Sequence, residues 1–377
     1  MNRNTIALIA VLLLGGLTWW LVSRTDRSTL KRELRDFAYA DTASITKVFL
    51  ADKSLHQVTL TRETVDGKQM WKVDGKYIAR QDAIFYLLKT IHDITVREPV
   101  SNKAKDGVIK QLASGSIKCQ IFVGDKMVKQ YYVGGATMDE TGTYMLNCDI
   151  SDPEDPINST DPFVMEIKGV DAYLSTRYST HATEWRDRNV FRYYAPDIRS
   201  IKVEHQGHPE ASFTVTQSSD NKRYSVTTLD GKVIAPLDTI AVRQFISYFN
   251  NINFENFETS LTQQHQDSVR NSKWSNRITV TDANNKSNTL TMWVKKNDGF
   301  MPDDTTAAAP PPFDPDRMFA LTSDNDFVIV QYYVLGKLLI DPDYFSPGPK
   351  AQLEDPNGKP LYIQQQPAAL NKKTGSK

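Results

Sequence analysis

The chain has 377 residues, with 45 Lys plus Arg and 45 Asp plus Glu, so its formal net charge is zero. Typical domains run ~100–200 residues, so this length points to two domains or one unit used twice. The charge balance argues against nucleic acid as a main partner, because phosphate-binding faces carry a basic excess. The only two cysteines, Cys119 and Cys148, exclude a disulfide-dense scaffold and a zinc site built on Cys clusters.

Residues 5–22 form an apolar run that ends in Trp19 and Trp20. At 1.5 Å rise per residue it reaches ~27 Å, enough to cross a bilayer core, with the Trp pair at the headgroup level. The nearest Ala-x-Ala pattern, Ala38-Tyr39-Ala40, lies too far downstream for signal cleavage, so residues 1–24 are expected to be an uncleaved transmembrane anchor. Residues 25–43 are expected to be a juxtamembrane amphipathic helix capped by Ser28, with Leu30, Leu34 and Phe37 on one face. Arg24, Arg27, Lys31, Arg32 and Arg35 make its basic flank and are the candidate lipid-facing residues. Only Arg3 precedes the span, so a literal positive-inside count puts the large domain in the cytoplasm, although long domains translocate largely regardless of charge.

The next feature is a repeat. Gly75-Lys76-Tyr77-Ile78-Ala79-Arg80-Gln81-Asp82-Ala83-Ile84 recurs as Gly231-Lys232-Val233-Ile234-Ala235-Pro236-Leu237-Asp238-Thr239-Ile240, six of ten residues identical at an offset of 156. Ser44-Ile45 and Ser200-Ile201 keep that offset, while Ile94/Ile252 and Val96/Phe254 stand 158 apart, as if the second helix were two residues longer. Strands are predicted at 45–50, 57–61 and 70–73, and again at 201–204, 212–216 and 224–227. A helix follows each set. Ile84, Leu87, Leu88 and Ile91 form the buried stripe of the first, and Ile240, Phe245 and Phe249 that of the second. Pro236 is placed at the first helical position, with Asp82 and Asp238 in the first turns. A polar helix (103–112; 261–271) and a hairpin (117–123 with 129–133; 277–281 with 289–294) come next. Each copy then closes with a Phe-rich strand and a short helix, at 162–167 with 170–174 and at 326–330 with 334–339.

The fold class that results is α+β. After the transmembrane helix come tandem duplicated units at 44–195 and 196–345, each a largely antiparallel sheet with two helices. Residues 307–312 read as a stiff loop, and residues 346–377, rich in Pro, Gln and Lys, as a disordered tail.

Phe49-Leu50-Ala51-Asp52, Trp71-Lys72-Val73-Asp74-Gly75-Lys76, Tyr132-Val133-Gly134-Gly135, Gly142-Thr143-Tyr144-Met145 and Trp185-Arg186-Asp187-Arg188 together resemble the bacterial family called domain of unknown function 4340. The similarity runs over about residues 45–192, and the second copy lacks counterparts to Trp71 and Gly134-Gly135. The resemblance implies an N-terminally anchored envelope protein often encoded beside gliding-type ABC transporter components. On that basis the chain is expected in the inner membrane as a single-pass protein with a periplasmic domain. Inner membrane lipid and transporter components are its expected partners, and no catalytic residue carries over. Three Asp-[Ser/Thr]-apolar triplets, at Asp41, Asp238 and Asp267, resemble bacterial O-glycosylation acceptors, although Asp238 already has a role at a helix start.

The residues offer no reaction. His56, His92, His181, His205, His208 and His265 are scattered, and no nucleophile elbow, zinc-protease helix, phosphate loop or dinucleotide fingerprint is present. Gly134-Gly135 reads as a turn, and the acidic loop at 152–156 as solvated. Neither a cofactor nor a metal is expected. Trp185, Arg186 and Arg188 suit either a partner-binding hot spot or a lock between copies. Tyr131 and Tyr132, with Tyr144, suit an exposed aromatic platform for an envelope glycan or polymer, or else strand packing. Cys119 and Cys148 are either bonded across a loop of about thirty residues or two buried free thiols. The expected function is therefore a non-enzymatic accessory or scaffold subunit of a transport or gliding assembly, with glycan binding as the alternative.

Overall fold

The computed structural model describes residues 35–65, 67–150, 157–297 and 311–349. The expected anchor, Arg24, Arg27, Lys31, Arg32, the acidic loop at 152–156 and the tail from residue 350 lie outside them. Among the described residues no helix is long and apolar enough to cross a membrane. Two compact units divide between Asp187 and Arg188, so residues 188–195 belong to the second unit and not, as expected, to the first.

The first unit runs β1 (Lys47–Ala51), β2 (Gln57–Val65), β3 (Lys68–Val73), β4 (Tyr77–Ile78), α1 (Gln81–Asp93), β5 (Thr95–Pro99), α2 (Asn102–Gly115), β6 (Ile117–Val123), β7 (Lys126–Ala136), β8 (Thr143–Asp149), β9 (Ile157–Asn158), β10 (Phe163–Glu166) and α3 (Ala182–Trp185). These strands form one antiparallel sheet in the order β4-β3-β2-β1-β6-β7-β8-β10-β5, with β9 on β8. Strand periodicity decides the faces: Val48 and Leu50 of β1 and Cys119 and Ile121 of β6 point into the core while their neighbours do not. Ile84, Leu87, Thr90 and Ile91 form the buried stripe of α1, and each aliphatic side chain so covered contributes ~1.5–3 kcal/mol.

Three expectations change here. Residues 36–43 are not helical. Phe37 packs in the core against Tyr131 and Phe163, ring centroids 5.9 and 6.0 Å away, and Tyr39 donates its N–H to Ile91 O at 3.0 Å. This stretch packs into the unit, because a buried aromatic outweighs the local helical pattern; Arg35 beside it is exposed. Gly134 and Gly135 lie inside β7, not in a turn. A Cβ on Gly134 would stand 2.5 Å from Leu112 Cδ2 and 2.9 Å from Tyr144 O, so the glycine lets α2 approach the sheet. No helix forms at 170–174; a bridge between Ile167 and Val170 leads instead to a 3₁₀ turn, Ser175–Arg177.

The second unit runs β11 (Asn189–Phe191), β12 (Ile198–His205), β13 (Phe213–Gln217), β14 (Tyr224–Thr228), α4 (Thr239–Ser247), β15 (Ile252–Asn253), β16 (Asn256–Phe257), α5 (Gln263–Asn271), β17 (Asn276–Asp282), β18 (Ser287–Lys296), β19 (Phe313–Leu321), β20 (Phe327–Gln331) and α6 (Tyr332–Leu335). Its main sheet is antiparallel in the order β14-β13-β12-β17-β18-β19-β20-β16, and β11 pairs with β15. Its core gathers Phe213, Phe245, Phe249 and Phe345 in edge-on and tilted contacts of 5.2–5.7 Å.

The expected start of α4 is corrected. Asp238 is its N-cap, accepting from the N–H groups of Ile240 and Ala241, and Pro236 lies outside the helix. That rotates Ile240 outward to 77% exposure, and the buried stripe becomes Ala241, Val242, Phe245 and Ile246, with Phe249 in the following 3₁₀ turn.

Candidate functional site

In the first unit, the start of α1 and the segment at 176–185 line an open pocket of about 370 Å³. Its lining includes Arg80, Tyr86, Arg177, Ser179, Glu184 and Trp185. Backbone bonds build it. Arg80 N–H donates to Trp185 O at 2.7 Å, Asp187 N–H donates to Ile78 O at 2.8 Å, and Ala79 bridges Arg186. The Trp185 ring is buried, and its indole N–H donates to Ser179 O at 2.8 Å.

Charge is paired within this wall. The Arg80 guanidinium forks onto Asp82, Nε to Oδ1 at 3.2 Å and Nη2 to Oδ2 at 2.6 Å. That bond holds the Asp82 carboxyl below its ordinary range and raises Arg80. Arg177 Nη1 donates to Thr90 Oγ1 at 3.0 Å, and its guanidinium lies 6.0 Å from the Tyr86 ring centre. Thr90 in turn donates to Tyr86 O at 2.7 Å. At the rim, Phe85 and Tyr86 meet edge-on at 5.6 Å and are 61% and 54% exposed. The wall thus sets guanidinium, hydroxyl and carboxylate groups beside two exposed aromatic rings.

The residues singled out on sequence are not brought together. Trp185 walls the pocket, and Arg186 stacks 3.5 Å from the Tyr77 ring centre in the same unit. Arg188 donates from Nη1 to Glu255 O at 2.7 Å inside the second unit. Tyr131 is fully buried with its hydroxyl 3.2 Å from that of Tyr178, so it cannot form a platform. Tyr132 and Tyr144 are half-buried against Val108, Leu112 and Leu146 under α2, which is the packing role. Two aromatics of the first unit that face solvent, Phe85 and Tyr86, have a signal in the sequence: adjacent rings lying off the Ile84-Leu87-Leu88-Ile91 stripe.

The cysteines do not pair. Cys119 stands opposite Tyr131, and Tyr131 opposite Asn147, so Asn147 rather than Cys148 shares the face of Cys119. β7 lies between the cysteines' strands, which sets β6 and β8 about 10 Å apart, and the two side chains point to opposite faces. Both are free and buried, and Cys148 Sγ donates to Asn158 Oδ1 at 3.3 Å.

No protein-family model, no curated protein and no solved structure matches the chain.

Proposed function

We propose that the chain is an N-terminally anchored, non-enzymatic envelope protein, an accessory or scaffold subunit of an ABC-type transport or gliding assembly. It is built from one α+β unit used twice, and it grips a protein partner through the Phe85–Tyr86 face of the first unit. The observation that carries the partner reading is that exposed aromatic pair beside a pocket lined by Arg80 and Arg177.

The duplication draws support from strand order: along each main sheet, corresponding strands follow in the same succession. Ile84, Leu87, Leu88 and Ile91 match Val242, Phe245, Ile246 and Phe249 at a constant offset of 158. The two extra residues of the second copy therefore lie before the helix, not within it. Ile45, Val48 and Leu50 match the buried Ile198, Ile201 and Val203, which replaces the alignment of Ser44-Ile45 with Ser200-Ile201. In register, Val48 faces Ile121 as Ile201 faces Val280.

The test places a photo-crosslinking residue at Tyr86 of the full chain in native membranes. Crosslinks to a transport component, lost when Phe85 is changed to Ala, support the reading. Recovery of the chain alone, with no crosslinked species, overturns it.

A further inference from the structure

The turn between β1 and β2 carries a carboxylate held from four directions. Asp52 Oδ1 accepts from the N–H groups of Ser54 (2.8 Å) and His56 (3.0 Å). Oδ2 accepts from Thr180 Oγ1 at 2.8 Å and stands 3.0 Å from His56 Nδ1. An ionised carboxylate only accepts, so the proton of the neutral His56 ring sits on Nδ1 and the Nε2 lone pair is free. The His56 side chain is 52% exposed, and the exposed His181, next to Thr180 in the chain, lies with its ring centroid 4.6 Å away at an interplanar angle of 54°.

We propose that His56 and His181 form a surface site for a borderline divalent transition metal ion, Zn²⁺, Ni²⁺ or Cu²⁺, with Asp52 orienting His56 from behind. Two imidazoles bound at Zn–N distances near ~2.0–2.1 Å on a tetrahedral ion have ring centres about 5 Å apart, close to the spacing present here. Imidazole is a preferred donor for these ions, and a carboxylate on the far ring nitrogen fixes the ligand's tautomer and orientation. Among the described residues no group of three or more His, Cys, Asp or Glu side chains is placed to hold a metal. The site is accordingly a two-ligand one, completed by water, and weaker than a four-ligand structural centre. It ties the β1–β2 turn to the segment before α3, and it does not rest on the partner reading of the Phe85–Tyr86 face.

Titration of the full chain with ZnCl₂ alone, followed calorimetrically, tests it. The wild type is expected to take up one equivalent that His56→Gln or His181→Gln abolishes, while His208→Gln, at the exposed pair with Glu210, leaves it intact. Asp52→Asn, which keeps an accepting oxygen but no charge, is expected to weaken binding about ten-fold. Zn²⁺ is also expected to raise the melting temperature of the wild type and not of His181→Gln, a readout independent of whether the variants differ in stability. A wild type that takes up no Zn²⁺, or a His56→Gln/His181→Gln chain that binds as the wild type does, overturns the proposal.

Discussion

Arg80 donates its backbone N–H to the carbonyl of Trp185 at 2.7 Å, and the second unit repeats the bond between Asp238 and Phe345, also at 2.7 Å. Each donor is the residue immediately before a core-packing helix, and each acceptor is a buried aromatic. The bond fixes where the helix enters and the ring fills the space behind it. Trp185→Ala is expected to destabilise the first unit by ~3–5 kcal/mol. Trp185→Phe keeps most of the packing and loses the indole bond to Ser179 O, for about 1 kcal/mol. Denaturant unfolding measures both, and a Trp185→Ala chain with the wild-type midpoint contradicts the lock.

The start of α4 gives a sharper contrast within one helix. Asp238→Ala removes the cap that accepts from Ile240 and Ala241 and is expected to cost about 1 kcal/mol. Phe245→Ala opens the core and is expected to cost ~3–5 kcal/mol. Ile240→Asn, at an exposed position, is expected to stay within about 0.5 kcal/mol of wild type. Had the helix begun at Pro236, Ile240 would lie in the core and its substitution would be as damaging as that of Phe245.

These residues also show what the sequence could reveal. Alternation in β13 and β14 and the α1 stripe are local signals, and both located their elements. The helix start in the second unit turned on whether Pro236 or Asp238 begins it, and both fit local rules. The Phe345 carbonyl that receives the Asp238 N–H lies over a hundred residues further along. Phe37 fits a basic amphipathic pattern locally, because its partners, Tyr131 and Phe163, lie roughly a hundred residues further along. The candidate site was less legible still. Trp185 stood out by composition, but Phe85, Tyr86 and Arg177 converge only through the fold, as do His56 and His181.

Acid is expected to loosen the β1–β2 turn. Burial pushes the Asp52 carboxyl up, but hydrogen bonds from Thr180, His56 and Ser54 outweigh it and hold it at about 2, against an ordinary 3.8. A carboxyl lowered in the folded state contributes stability that is present above pH 3.8 and is lost as pH falls from there towards 2. Asp52→Asn removes that dependence, so the acid limb of its stability curve between pH 4 and 2 is expected to be shallower than the wild type's. Equal slopes in urea melts across that range count against it.

Gly134→Ala is expected to be destabilising by ~1–3 kcal/mol, because the added methyl meets both Leu112 and the Tyr144 carbonyl. Gly135→Ala meets only the end of the Gln111 side chain, which can swing away, and is expected to be milder. Adding Leu112→Ala to Gly134→Ala makes room for the methyl, so the double variant should lose less than the sum of its parts. A strictly additive cycle would remove the close approach of α2 as the reason for the glycine.

Alkali acts on the core of the first unit. Burial pushes the Cys119 thiol up to about 12 from an ordinary 9.0, and burial likewise raises Tyr131 and Tyr178 above their ordinary 10.0. All three are neutral in the folded chain, while the unfolded chain sheds their protons at lower pH. Their contribution is thus complete below about pH 9 and is lost as pH rises through the folded values. Stability is expected to decline from pH 9 and more steeply above 10, with Cys119→Val removing the earliest part. The same burial keeps both thiols from reacting: a thiol-specific reagent should label neither Cys119 nor Cys148 in the native chain and both in denaturant. Non-reducing electrophoresis should show identical mobility with and without reductant, since the two side chains leave opposite faces of the sheet. A mobility shift would mean that β7 does not lie between β6 and β8, because a one-residue slip of β8 would turn Cys148 to the face of Cys119 yet leave the two too far apart to bond.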